Sequence, residues 1–229
     1  MISNRKTAVI VGVLFILGTV AGILSVVFTG STLNAPDYLT SVSANESQII
    51  LGAFCVLIMG FALALVPVMM FPVLKNQNEA LALGYVVFRG ALETATYLVT
   101  AAGMLLLIPL SRAYGNAGAA EAAGLQTLGA FVQDLTHLPM TIFVFSLGAL
   151  IFYSLLFQSR LIPRWLSVWG WIAILLHLAT GLLTMTGVQE EFSVWNSVMN
   201  FPIFLQEMVM AGWMIAKGFT PPSRLPHGK

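Results

Sequence analysis

The chain is 229 residues long, 58% hydrophobic and 8% charged, with a net charge of +1 and a mean hydropathy of +0.90. A soluble domain carries about a quarter charged residues and a disordered chain is polar, so both classes are excluded. Ten basic and nine acidic side chains without a basic cluster argue against a nucleic-acid partner, and the lone Cys55 excludes an internal disulfide or a CxxC metal site.

What remains is an all-α polytopic membrane protein, read as one six-helix domain over residues 1–229. A spanning helix needs about 20 mainly apolar residues. Six stretches qualify: Ala8–Thr29, Ile49–Leu74, Leu83–Leu110, Leu128–Phe157, Trp165–Gly187 and Val198–Lys217. Arg5 and Lys6 ahead of the first stretch also suit a signal peptide. Its apolar run is too long for one, and Gly30–Asp37 has no small-x-small site, so an uncleaved helix is expected. The outer Gly30–Gln48 segment reads as irregular. Pro67 and Pro72 can bend the second span and Pro139 the fourth, which membrane helices tolerate. The Gly/Ala-rich Ser111–Thr127 segment is expected to hold a short surface helix before the fourth span. Gly18-x-x-x-Gly22 permits close helix approach.

Basic residues orient the bundle. With the N-terminus inside, Arg5, Lys6, Lys75, Arg160, Arg164, Lys217, Arg224 and Lys229 fall on the inner side and only Arg112 on the outer. That asymmetry puts both termini in the cytoplasm. The expected location is the inner membrane of a bacterial cell, in contact with the lipid bilayer.

Ionisable residues inside spans cost about 2.5–3.5 kcal/mol each, so they mark places to look for function. The third span carries Arg89 and Glu93, four apart and on one helical face with Tyr85, Tyr97 and Thr100. The fourth carries Asp134, His137 and Thr141, the fifth His177, Thr180 and Thr184, and the sixth Asn196, Asn200 and Glu207, each as one stripe. Four striped helices suggest one shared polar interior. Arg89 can neutralise only one of Glu93 and Glu207; the other needs a proton, a histidinium or a bound cation. The candidate ligand- or ion-binding residues are therefore Arg89, Glu93, Glu207, Asn200, Asp134, His137 and His177. The same residues can also simply tie helices together.

Asp134 and His137 make only two metal ligands, and the depths of His137 and His177 do not suit one haem plane. No metal or other cofactor is expected. Pro163-Arg164-Trp165, at the inner start of the fifth span, suits a helix start with head-group anchors, or a docking point for a cytoplasmic partner.

Three motifs also carry a family resemblance. Tyr85, Phe88 and Arg89 resemble a Y-x-x-F-R-x-x-E pattern, with the acid, Glu93, one residue later than in that pattern. Leu161-Ile-Pro163-Arg164-Trp165-Leu166-Ser-Val-Trp169-Gly170 resembles an inner-loop LIPRWLSVWG motif. Glu207, Trp213 and Lys217-Gly218-Phe219 resemble a closing E-x5-W-x3-KGF motif. Together they resemble a bacterial integral-membrane family, domain of unknown function four-three-eight-six, from the second helix to the end of the chain. The resemblance implies a six-helix inner-membrane protein and no particular activity.

The expected function is binding or passage of a small ligand, proton or cation through the polar interior. Two other classes stay open: a structural or sensory membrane subunit that docks a partner, an oligomer included, and an intramembrane enzyme or metal/haem protein. The enzyme is the less favoured, because HExxH, GxSxG and a Gly-rich phosphate loop are all missing from the sequence.

Overall fold

A computed structural model describes residues 4–137, 140–188 and 193–220. In chain order the helices are α1 (Asn4–Leu33), α2 (Tyr38–Ala44), α3 (Glu46–Leu74), α4 (Glu79–Tyr85), a π-helix (Val86–Leu92), α5 (Glu93–Asn116), α6 (Ala119–Asp134), α7 (Met140–Ser159), α8 (Arg164–Met185) and α9 (Val194–Ala216). Six spans are long and apolar enough to cross a membrane: α1, α3, α4 through α5, α7, α8 and α9. The protein is an all-α, multi-pass membrane protein.

Two expectations need correction. Gly30–Gln48 is not irregular: α1 continues to Leu33, and α2 follows. The fourth span begins at Met140 rather than Leu128, because α6 ends at Asp134 and the chain turns. Asp134 and His137 therefore precede that span instead of striping it. The third span is not α-helical throughout, since Val86–Leu92 adopts the wider π turn, in which each N–H reaches one residue further back. Pro139, expected to bend the fourth span, lies outside the described residues, as do Arg224 and Lys229. Pro67 and Pro72 leave α3 continuous.

The chain divides into two compact units. The first is drawn from Met1–Ile16, Ala64–Leu92 and Ile142–Lys229, the second from Leu17–Leu63 and Glu93–Thr141.

In the second unit, Leu33, Leu39, Val42, Ile49, Ala53, Val56, Ala101, Met104 and Leu107 form the apolar core. Gly18 and Gly22 face Leu63 and Met59, so the small-xxx-small pair does bring α1 close to α3. Arg112 donates to Glu46 through Nε at 2.6 Å and through Nη2. The Tyr38 hydroxyl is buried, and the described residues offer it no hydrogen-bond partner. Burial first, then the charge of Asp134, then Tyr114 push this phenol above its ordinary pKa. Tyr38→Phe keeps the ring and removes the unsatisfied hydroxyl, so its melting temperature is expected to equal or exceed that of the parent. A clear drop would mean the hydroxyl has a partner.

In the first unit, α7 and α8 run antiparallel. Gly181 lies against Ile142, His177 against Phe145, and Gly170 against the Tyr153 ring. α9 returns alongside α8, placing Asn196 by Thr184, Asn200 by His177 and Gln206 by the Leu166 carbonyl.

A clasp closes one end of this unit. Arg5 Nη2 donates to the Ile215 carbonyl at 2.8 Å and the Ala216 carbonyl at 3.2 Å, capping the C-terminus of α9. Gly218, at φ +74°, turns the chain out of α9 in the left-handed conformation that glycine adopts without strain. Thr220 N–H then donates to the Leu161 carbonyl at 2.8 Å, tying the Lys217-Gly218-Phe219 turn to the Leu161-Ile162-Pro163 loop.

Candidate functional site

The polar residues of the first unit form two adjoining groups. Arg89 comes from the π-helix and is 3% exposed, and its Nη2 lies 3.3 Å from Glu207 Oε1 on α9. The guanidinium also sits over two rings, 4.5 Å from the Phe145 centroid and 5.9 Å from that of Phe15. Cation–π attraction of this kind grows when water is excluded. Gly148 on α7 makes room for the arrangement, since a Cβ there would meet Arg89 N at 3.2 Å and Arg89 Cβ at 3.3 Å. Phe15 stacks in turn on Phe152, and Phe152 on Tyr85.

Beside Glu207, Gln206 is fully buried and braced three ways. Tyr153 O–H donates to its Oε1 at 2.6 Å, while its Nε2 donates to the Leu166 carbonyl at 3.0 Å and approaches Met210 S. A buried amide and a buried phenol both need partners, and here each supplies one to the other.

The second group is a ladder on the facing sides of α8 and α9. Asn196 Nδ2 donates to Thr184 Oγ1 at 3.3 Å, and Asn200 Nδ2 donates to Asn196 Oδ1 at 2.6 Å. Asn200 Oδ1 is then left to accept from His177 Nδ1–H at 2.6 Å. This order assigns the proton of a neutral ring to Nδ1 and a lone pair to Nε2. The ring also meets the edge of Phe145, whose face carries Arg89. From Asn196 to Glu207 the polar face of α9 is about 16 Å long at 1.5 Å per residue. Nitrogen NMR of labelled histidine should show Nδ1 protonated in the parent and a tautomer mixture in Asn200→Leu. A parent ring protonated at Nε2 alone would reverse the ladder.

The sequence-predicted residues distribute as follows. Arg89 and Glu207 meet, as do His177 and Asn200. Glu93, fully buried, belongs to the second unit, where Tyr97 O–H donates to its Oε1 at 2.8 Å. Asp134 is exposed at the end of α6, and the His137 N–H donates to its carbonyl at 3.3 Å. Pro163 is the N-cap of α8 rather than its first helical residue. Arg164 sits over Phe157 at 4.8 Å, and Trp165 is exposed and stacked on Trp169. Among the described residues no three His, Cys, Asp or Glu side chains gather as metal ligands.

Sequence reasoning missed Phe15, Phe145, Tyr153 and Gln206. An amide adjoining Glu207 in an apolar helix was a readable signal for Gln206, because a membrane interior leaves it no water partner. The two phenylalanines gave none.

No curated protein and no solved structure matches the chain. The family described as domain of unknown function (DUF4386) matches residues 10–218. The match contains all three sequence motifs except Phe219 and reaches back into α1, further than the motifs alone. The chain belongs to the DUF4386 family.

Proposed function

We propose that this protein holds a small polar ligand or an ion within the membrane, at the polar interior of its first unit, and lets it pass. One observation carries the reading: Arg89 and Glu207 are paired between helices, and the amide ladder from His177 to Thr184 adjoins them. Helix association alone does not require so much buried polarity, because interhelical hydrogen bonds in membranes contribute only about 0.6–2 kcal/mol. Burying an ion pair costs desolvation that packed apolar side chains would avoid. Glu207 and His177 are the groups able to exchange a proton, and Asn200 and Asn196 offer neutral contacts along the face of α9. A relay of protons through the ladder is not part of the proposal, since a side-chain amide must pass through an unfavourable tautomer to hand a proton on.

The setting is a bacterial cell membrane with both termini cytoplasmic, supported by the basic residues gathered on one side of the spans. The exposed Trp165, stacked on Trp169 at the start of α8, supports a head-group anchor there rather than a protein-docking site.

Sealed vesicles containing the purified protein test this reading. Flux of protons, monovalent cations and small polar solutes is compared between the parent and Glu207→Gln, which preserves shape and removes charge. Flux or saturable uptake of one solute, lost in Glu207→Gln and reduced in Asn200→Leu, is expected. Identical behaviour of parent and Glu207→Gln for every solute would leave only the tie between helices.

A further inference from the structure

The environment of Arg89 has a recognisable chemistry. A carboxylate lies at one edge of its guanidinium and two aromatic rings lie against its face and flank. This is how a protein holds a planar, delocalised cation: charge-assisted N–H donation to oxygen in the plane, and ring quadrupoles above it. The occupant is the protein's own side chain, and it is carried by the seven-residue π-helix. A π turn holds more residues than an α turn, is rare, and is frequently found at functional sites. Tightening it to α-helix would move Arg89 by one residue's step, roughly 100° about the helix axis. On α7 the backbone facing Arg89 is Gly148, which has no side chain to obstruct that rotation.

We propose that Phe15, Phe145 and Glu207 form a binding site for a small planar organic cation of the guanidine or amidine class, which Arg89 fills as a tethered stand-in until the ligand displaces it. The proposal rests on the reading of the polar interior as a ligand site and names its ligand class. Glu207 supplies the counter-charge and the in-plane acceptor. Phe145 supplies the stacking face, and Phe15, fully buried and backed by Phe152, closes the other side. Arg89, once displaced, no longer competes for the carboxylate. Because the tethered side chain occupies the site most of the time, the apparent affinity of the parent is reduced by the small fraction of molecules in which the site is open.

The test is a titration of the full-length protein in lipid nanodiscs with ethylguanidinium, at low millimolar concentrations where it does not denature. Choline, sodium, acetate and phosphate are run alongside, with binding read by saturation-transfer NMR and by thermal shift. The parent should bind ethylguanidinium saturably and more tightly than the other four. Arg89→Gln should bind it about tenfold tighter or more, because the internal competitor is gone. Glu207→Gln and Phe145→Leu should each weaken it about tenfold or more, since each removes one of the groups that holds the cation. Should Arg89→Gln fail to fold, the parent against Glu207→Gln and Phe145→Leu decides. Binding to Arg89→Gln but not to the parent would overturn the proposal, because Arg89 would then be a permanent tie. Preferential binding of sodium, acetate or phosphate would overturn the ligand class and leave the ligand-site reading standing. Binding of no solute by any variant would overturn both.

Discussion

Arg89→Leu should lower the melting temperature in detergent by roughly 10 °C. The Arg89 side chain is 3% exposed and the Glu207 side chain 15%, so neither charge has water to fall back on. Removing one partner of a buried pair costs about 3–5 kcal/mol, since the survivor is left charged and unpaired or must take up a proton. In a chain of this size each kcal/mol shifts the midpoint by about 2–4 °C. The cation–π attraction to Phe145 and Phe15 disappears with the guanidinium as well. The double change Arg89→Leu with Glu207→Leu removes both charges and should recover much of that loss, because an apolar pair of similar volume needs no compensation. Melting curves for the three proteins in one detergent check the order: parent highest, double variant next, Arg89→Leu lowest. If Arg89→Leu melts with the parent, Glu207 does not depend on Arg89.

Gly12→Ala should be destabilising while Gly212→Ala, on the facing helix, should not. A Cβ at Gly12 would come within 2.7 Å of the Ala211 carbonyl oxygen and within 2.7 Å of Ile215 Cγ1. The carbonyl belongs to the α9 backbone and cannot rotate away, so α1 and α9 must separate. Overpacking of this kind costs about 1–3 kcal/mol. The separation also lengthens the bonds from Arg5 to the last carbonyls of α9. A Cβ at Gly212 meets nothing within 4 Å, so alanine there gains about 0.5–1 kcal/mol of helix propensity. Paired melting curves read the contrast. Equal effects at the two positions would mean that α1 and α9 do not touch at Gly12.

The six spans were legible because the bilayer imposes a minimum apolar length, and only their ends moved. The stripes that carry His177, Asn200, Arg89 and Glu207 were legible, because ionisable and amide groups in apolar helices must face one another; which of them pair was not. The π-helix was not. Val86–Leu92 is apolar apart from Arg89 and has no proline to force a register change, so nothing local distinguishes it from α-helix. The stripe of Asp134, His137 and Thr141 was misplaced for a different reason. The apolar run from Leu128 crosses the end of α6, and hydropathy alone does not see a turn between two helices. α2 was missed because seven residues carry too little periodicity. The family motifs proved partly structural: Lys217-Gly218-Phe219 and Leu161-Ile162-Pro163 meet in the clasp through Thr220.

The most direct measurement is a structure of the protein purified from its own membrane in lipid, with native small molecules retained. Density of a small molecule or ion against Glu207, with Asn200 or Phe145 within contact distance, is the expected result. Polar side chains of the first unit contacting only one another, with no added density in any preparation, would contradict a binding role and leave a bundle held by its own ion pair.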